Sequence, residues 1–309
     1  MKNKKIVITG AAGFIGSNLT HALYENNDVT AIDNLSTGNI SNISDILSEI
    51  DFKNESITEY NMLKTAFEDA DYVLHLAAIS SVPLSINNPI ATNEVNVTGT
   101  LNVLTAARDA GVKRVIFSSS SSIYGNTEIL PTIETLPTCP LSPYATSKLT
   151  GENYCRNFYD LYGLETVALR YFNVFGPKQD LNSQYAAVIP KFITAIASER
   201  QPEVYGDGNQ TRDFTYVENV VQANIKACTS MKGPGNVYNI GCGEQYSLNR
   251  LIELINKHLN KEIAPIFNEA REGDIKYSLA SITAAEKDLG YSPTVNFEQG
   301  LIKTIEWFT

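Results

Sequence analysis

The sequence predicts a doubly wound α/β protein, a parallel sheet covered by helices on both faces, followed by a smaller C-terminal α/β portion. Three observations carry this. Short apolar runs alternate with amphipathic helical patterns through the first half of the chain. The runs are apolar at successive positions rather than at every second one, as strands buried on both faces are. A glycine-rich turn joins the first run to the first helical pattern, where a close strand-to-helix reversal needs residues without a Cβ.

The runs are KKIVIT at 4–9, DVTAID at 28–33, DYVLHLA at 71–77, VKRVIFS at 112–118 and TVALRYF at 166–172, with helical patterns between them such as 14–24 and 97–110. After residue 172 the rhythm loosens. NVFGPKQDLNS at 173–183 and ERQPEVYGDGNQTRD at 199–213 are rich in turn residues, and the helical patterns at 248–259 and 282–289 stand further apart. The expected division is a first domain over 1–172 and a second over 173–309, with a segment of about 213–241 returning to the first through FTYVEN and NVYNIG.

Bulk properties narrow the function. With 309 residues and 43% apolar content the chain can bury substantial cores. Its 34 acidic against 24 basic residues, a formal charge of −10, repel polyanions, so nucleic acid and anionic membrane are not expected partners. Cys139, Cys155, Cys228 and Cys242 lack metal-ligand spacing, no secretory leader is recognised, and no apolar run reaches the roughly 20 residues that span a bilayer. A soluble protein of a reducing cytoplasm, without a metal, is expected.

The first run enters TGAAGFIGSNL at 9–19, with Gly10, Gly13 and Gly16 where strand becomes helix. Absent Cβ atoms let a pyrophosphate approach the amides of a helix N-terminus, whose dipole favours an anion. Tight packing of strand on helix could require the same glycines, but the second run ends in Asp33 about twenty residues on, as expected of an acid that holds ribose hydroxyls in a Rossmann-type site. The NLSTGN that follows offers no arginine to a 2′-phosphate, so NAD is expected rather than NADP.

Two further features bear on chemistry. Tyr144 and Lys148 lie four apart on a helical pattern opened by Pro143, and so share one face. Alone the pair is unremarkable. Beside a dinucleotide, the ammonium and the positive nicotinamide ring would both favour the phenolate of a group that otherwise titrates near 10, making Tyr144 a general base. The serines of VIFSSSSSIYG at 115–125 could mark a flexible hinge, but they end a buried run, where strand ends of such a sheet face the ligand crevice.

These motifs, with HLAA at 75–78, NVTGT at 96–100, YATSK at 144–148 and RYFNVFGP at 170–177, resemble the short-chain dehydrogenase/reductase superfamily, specifically its extended branch of NAD-dependent sugar-nucleotide epimerases and dehydratases. The match runs nearly end to end. The resemblance implies a catalytic set of Ser120, Tyr144 and Lys148, with Ser120 on the sugar's 4-hydroxyl and Lys148 on the nicotinamide ribose. It implies further cofactor contacts at Phe14 and Ile15 in the glycine turn, at Asn34, Ser36, Thr37 and Gly38 after Asp33, and at Ser56 and Ile57 beside the adenine. Leu76, Ala77, Ala78 and Asn96 would line the nicotinamide side, and Ser118 and Tyr171 complete the set. For the substrate it implies Arg212 and Arg271 on the diphosphate, an arginine's fork suiting paired phosphate oxygens, with Asn173 beside them. Tyr205 would stack on uracil, Ala187 and Val188 would close on it, and Ser81 and Asp274 would also touch the substrate. Ser278 aligns with a position that is bulky where only plain hexoses are accepted and small where N-acetylhexosamines are. A homodimer through the helix after Asn96 and the helix carrying Lys148 is implied as well.

In dehydratases and decarboxylating relatives of this superfamily the catalytic hydroxyl is followed by Asp-Glu or by Glu. Here those positions are Ser121 and Ser122. Neither can supply the acid and base that elimination needs. The expected reaction is therefore inversion at carbon 4 of a UDP-hexose, plain or N-acetylated, through a transient ketone. The alternatives are a UDP-glucuronate 4-epimerase and, in another class, an inactive NAD-binding regulator, the latter disfavoured by an intact Ser120, Tyr144 and Lys148 set.

Overall fold

The structure is a computed structural model that describes residues 1–180, 188–270 and 276–309. Strands β1 (Lys5–Thr9), β2 (Asp28–Ile32), β3 (Asp51–Lys53), β4 (Tyr72–His75), β5 (Arg114–Ser120) and β6 (Glu165–Tyr171) alternate with helices α1 (Phe14–Leu23), α2 (Tyr60–Ala66), α3 (Val82–Asn87), α4 (Pro89–Asn93), α5 (Thr100–Asp109) and α6 (Pro143–Tyr162). The later elements are β7 (Val174–Phe175), α7 (Val188–Ala197), β8 (Glu203–Tyr205), β9 (Thr211–Arg212), β10 (Thr215–Tyr216), α8 (Val217–Thr229), β11 (Asn236–Ile240), β12 (Tyr246–Ser247), α9 (Leu248–Leu259), β13 (Ile266–Asn268), α10 (Thr283–Leu289) and α11 (Phe297–Phe308).

Among the described residues seven strands form one parallel sheet in the order β11-β6-β5-β4-β1-β2-β3. The chain leaves β1 toward β2 and β3, then crosses back to β4 on the other side. The order therefore reverses between β1 and β4, and in such sheets ligands bind outside the carboxyl ends of the strands at that point. Alternate residues of one strand enter different cores: Ile6 and Ile8 pack with Leu19, Leu169 and Val220, while Val7 packs with Val73, Val115 and Phe117. That two-sided burial is why the sequence shows unbroken apolar runs. A third core gathers Phe175, Ile193, Val204, Leu251 and Phe297 from α7, α9, α11 and short strands.

The structure differs from the sequence expectation at two strands. β3 reads as no strand because it is short, charged and only partly buried, an edge position where alternation is not demanded. Of the two segments expected to return to the sheet, Asn236–Ile240 pairs with β6, whereas Thr215–Tyr216 pairs with Val174–Phe175 in a separate two-stranded ladder. Among the described residues no helix is long and apolar enough to cross a membrane, and no three His, Cys, Asp or Glu side chains are grouped to hold a metal.

Candidate active site

At the β1–α1 turn the glycines are required by contact. Gly10 has φ +73°, and a Cβ there would stand 2.7 Å from Ala77 N; a Cβ on Gly16 would stand 2.0 Å from Gly10 O. The turn thus nests between α1 and the segment after β4, leaving the helix N-terminus open to an anion. At the end of β2 the buried Asp33 accepts Ala12 N at 2.9 Å and Leu35 N at 2.8 Å. Burial raises its carboxyl above the ordinary value, and those N–H donors pull it back. Each carboxylate oxygen keeps a further lone pair for a ribose hydroxyl, and Gly38 is free of the Cβ that would meet the carboxylate at 2.8 Å. Cradle and carboxylate together fit NAD, and a 2′-phosphate beside Asp33 would be repelled.

The remaining cofactor candidates divide. Phe14 and Ile15 open α1 and are half-buried, as are Leu76, Ala77 and Ala78; Asn34, Ser36 and Thr37 are exposed around the loop, where Ser36 N donates to Asn34 Oδ1 at 3.1 Å. Ser56 Oγ accepts Thr58 N, and Ile57 is buried against Gly99. Asn96 and Tyr171 are turned inward instead. Asn96 is 2% exposed; its amide accepts Ile79 N and donates to Ile79 O and Ser147 Oγ, so it fastens the 77–81 loop to α6. The Tyr171 hydroxyl is buried between Ser118 Oγ at 3.0 Å and Asn224.

Ser142 caps α6 by accepting Ala145 N, Pro143 takes the first position, and Gly163 closes the far end with φ 72°. The helix carries Tyr144 to the end of β5, where the Ser120 hydroxyl is its hydrogen-bonding neighbour. Lys148 is buried, with Nζ donating to Ser118 O at 2.8 Å and lying 6.0 Å from the Tyr144 ring centroid. Burial pushes the Tyr144 phenol up and Ser120 pulls it partly down, while burial lowers Lys148 to about 8. The sequence argument for a phenolate rests on the Lys148 ammonium and the positive nicotinamide ring together. In the ligand-free protein desolvation dominates both groups, and the phenolate needs further positive charge beside it.

A second cleft of about 310 Å³ lies under the loops after β6 and gathers Asn173, Val188, Tyr205 and Arg212, together with Gln210 and Phe192. Asn173 has φ +32°, and its Nδ2 approaches Asp213 O at 3.3 Å and Ser278 Oγ at 3.4 Å. Ser278 N donates to Thr211 O, which brings the serine against β9, while Tyr277 is 44% exposed. Ser81 caps α3 by accepting Leu84 N. Ala187, Arg271 and Asp274 lie outside the described residues. A larger hollow at Lys5, Asp28, Asp51 and Lys53 opens at the amino ends of the strands and contains none of these groups.

Three groups escaped the sequence reading. His75, held down to about 3 by burial, bridges Thr9 Oγ1 at 2.7 Å and Thr100 Oγ1 at 2.9 Å beneath the cofactor turn. Ser85 Oγ accepts Tyr144 N at 3.1 Å. Glu152, one turn beyond Lys148 on the same helix face, had a readable signal in its four-residue spacing.

Sheet, glycine turn, terminal acid and the Ser120, Tyr144 and Lys148 cluster, with a second cleft lined by Asn173, Tyr205 and Arg212, define a dinucleotide-binding α/β protein. The model of the NAD dependent epimerase/dehydratase family matches residues 6–241, and the chain belongs to that family, whose cofactor is NAD. It is 38% identical to a putative UDP-glucose 4-epimerase of Methanocaldococcus jannaschii over 98% of this chain and 97% of the relative. It is 34% identical to a UDP-glucuronate 4-epimerase of Thermodesulfobacterium geofontis over 97% of this chain and 95% of the relative. The UDP-N-acetylglucosamine 4-epimerase of Methanobrevibacter ruminantium, solved with UDP-N-acetylmuramic acid, superposes with a TM-score of 0.96 at 43% identity, covering 100% of this chain and 99% of that one.

Proposed function

We propose that the protein is a 4-epimerase of UDP-hexoses, acting on UDP-glucose and UDP-galactose and on their N-acetylated counterparts. The observation that carries the reading is the pairing of Ser120 with Tyr144 in a site where Ser121 and Ser122 stand in place of carboxyl groups. When bound, NAD supplies reversible hydride exchange at the sugar's fourth carbon. Tyr144 takes the proton of the 4-hydroxyl, and Ser120 holds the oxygen as it gains carbonyl character. Lys148, anchored on Ser118 O, supports the phenolate with its ammonium. Arg212 and Asn173 would hold the diphosphate in the second cleft, leaving the keto sugar free to turn its other face to the same tyrosine. Ser278, small and beside Asn173, leaves room for an acetamido group.

In this reading residues 1–172 with about 213–241 form the cofactor unit and the rest the nucleotide-sugar unit. The chain would work in the cytoplasm as a homodimer through α5 and α6; Leu161 and Tyr162, 72% and 53% exposed at the end of α6, support that surface. The relative acting on UDP-glucuronate makes a uronate the alternative substrate. Purified protein is assayed on UDP-galactose, UDP-N-acetylgalactosamine and UDP-glucuronate, with Tyr144→Phe beside it. The expected result is turnover of the first two and a loss of about 10²–10⁴-fold in the variant. Turnover of UDP-glucuronate alone, or an unaffected Tyr144→Phe, overturns the proposal.

A further inference from the structure

Tyr144, Lys148 and Glu152 recur every four residues on α6, and each meets a different one of the three serines that end β5. Tyr144 has the Ser120 hydroxyl as its neighbour, Lys148 Nζ donates to Ser118 O at 2.8 Å, and Ser119 Oγ donates to Glu152 Oε1 at 2.5 Å. Helical side chains lean toward the helix N-terminus, which lets the long Glu152 side chain reach back up to the strand end.

Glu152 does more than accept from Ser119. Its two oxygens take a fork from Arg170, Nη2 at 2.7 Å and Nε at 2.9 Å, with both side chains about 5% exposed (6% and 5%). Ser119 and Arg170 are register partners on adjacent strands, so one carboxylate bridges two neighbouring strands at once. Arg170 is itself held, its Nη1 donating to the Tyr124 hydroxyl at 2.7 Å and to Glu134 O at 3.0 Å, and the Tyr124 hydroxyl donates in turn to Asn239 Oδ1. On α6 the residue before Glu152 is Gly151, where a Cβ would meet the Phe117 ring at 2.3 Å. The helix backbone rests there directly on the Phe117 ring of β5. Such a contact sets the separation but resists sliding and rotation poorly, whereas a two-oxygen fork to a planar guanidinium tolerates one geometry.

We propose that Glu152 is a positioning residue: its bridge to Ser119 and Arg170 sets the rotation and axial position of α6 and thereby holds Tyr144 on Ser120. The proposal takes its assay from the 4-epimerase reading, but its spectroscopic readout stands without it. A shift of about 1 Å in such an element is enough to cost about 10²-fold in rate.

The test is Glu152→Gln in the NAD-loaded protein, compared with Ser119→Ala. Glutamine keeps the shape and one acceptor but turns an N–H₂ toward Arg170, breaking the fork. Measured well below the unfolding temperature, kcat should fall by about tenfold or more with KM for the UDP-sugar unchanged. The tyrosinate absorbance titration of Tyr144, isolated by subtracting Tyr144→Phe, should move to higher pH as the phenol leaves Ser120. Ser119→Ala, which keeps the ion pair, should show smaller changes in the same directions at near wild-type stability, and it decides the question if Glu152→Gln does not fold. Wild-type kcat per folded molecule and a wild-type Tyr144 midpoint overturn the proposal, whatever the change in Tm. If the wild-type protein turns over no UDP-sugar, the functional reading fails while the midpoint still tests the positioning role.

Discussion

Gly16→Ala perturbs the cofactor turn through one added carbon. That Cβ would lie 2.0 Å from Gly10 O, 2.8 Å from Gly10 C and 3.0 Å from Ala11 Cα, all backbone. The turn cannot yield: Gly10 N is bonded to Ile32 O at 2.8 Å, Gly10 O already accepts Gly13 N at 3.1 Å, and the far side of Gly10 is closed by Ala77 N. The helix must move instead, by about 1 Å or more to restore van der Waals contact. Because α1 buries Leu19 and Leu23, that withdrawal overpacks one face and opens the other, at about 1–3 kcal/mol. It also carries the first amides of the helix away from a bound pyrophosphate. Losing one hydrogen bond to a charged group costs about 1.5–3 kcal/mol, or about tenfold to a hundredfold in NAD affinity. NAD content after gel filtration and thermal unfolding are read together, with Gly163→Ala as the control. Gly163 is left-handed, φ +72°, where Gly16 is helical, and it has nothing within 4 Å. Its replacement should cost only the backbone strain of about 1–2 kcal/mol, with NAD retained. A Gly16→Ala protein with full NAD content and no greater loss of stability than the control would refute the steric argument.

Three other outcomes are expected. Asp213→Asn should destabilise the protein by about 1–3 kcal/mol in denaturant unfolding: the buried carboxylate accepts Cys242 N, Gly243 N and Ala280 N, and an amide would turn N–H toward N–H. An unchanged midpoint would contradict this. Lys148, lowered by burial to about 8 from 10.5, binds fewer protons folded than unfolded between those values, so it lends the ligand-free protein stability as pH rises through the window. The stability difference between wild type and Lys148→Met should therefore grow by about 3 kcal/mol from pH 8 to 10.5. A flat difference would mean that the ammonium is better solvated than its burial implies. Ser278→Tyr should remove turnover of N-acetylated UDP-sugars and spare the plain ones, because the larger side chain fills the space beside Asn173. Equal loss on both would remove Ser278 from sugar selection.

What the sequence determined by itself was local. The glycine turn, Asp33 at a strand end, the Ser142–Pro143 start of α6 and the shared face of Tyr144 and Lys148 were legible because turns, caps and helical periodicity act over a few residues. The serines at 118–120 were legible as the end of a buried strand rather than a hinge, for the same reason. The tertiary structure alone decided which way side chains point once distant segments meet. It turned Asn96 toward Ile79 and Tyr171 toward Asn224, brought Asn173, Tyr205 and Arg212 around one cleft, and set Glu152 between Ser119 and Arg170. It also decided the burial that raises Tyr144 and lowers Lys148, because desolvation depends on everything that surrounds a group and leaves no trace in the spacing of two residues on a helix.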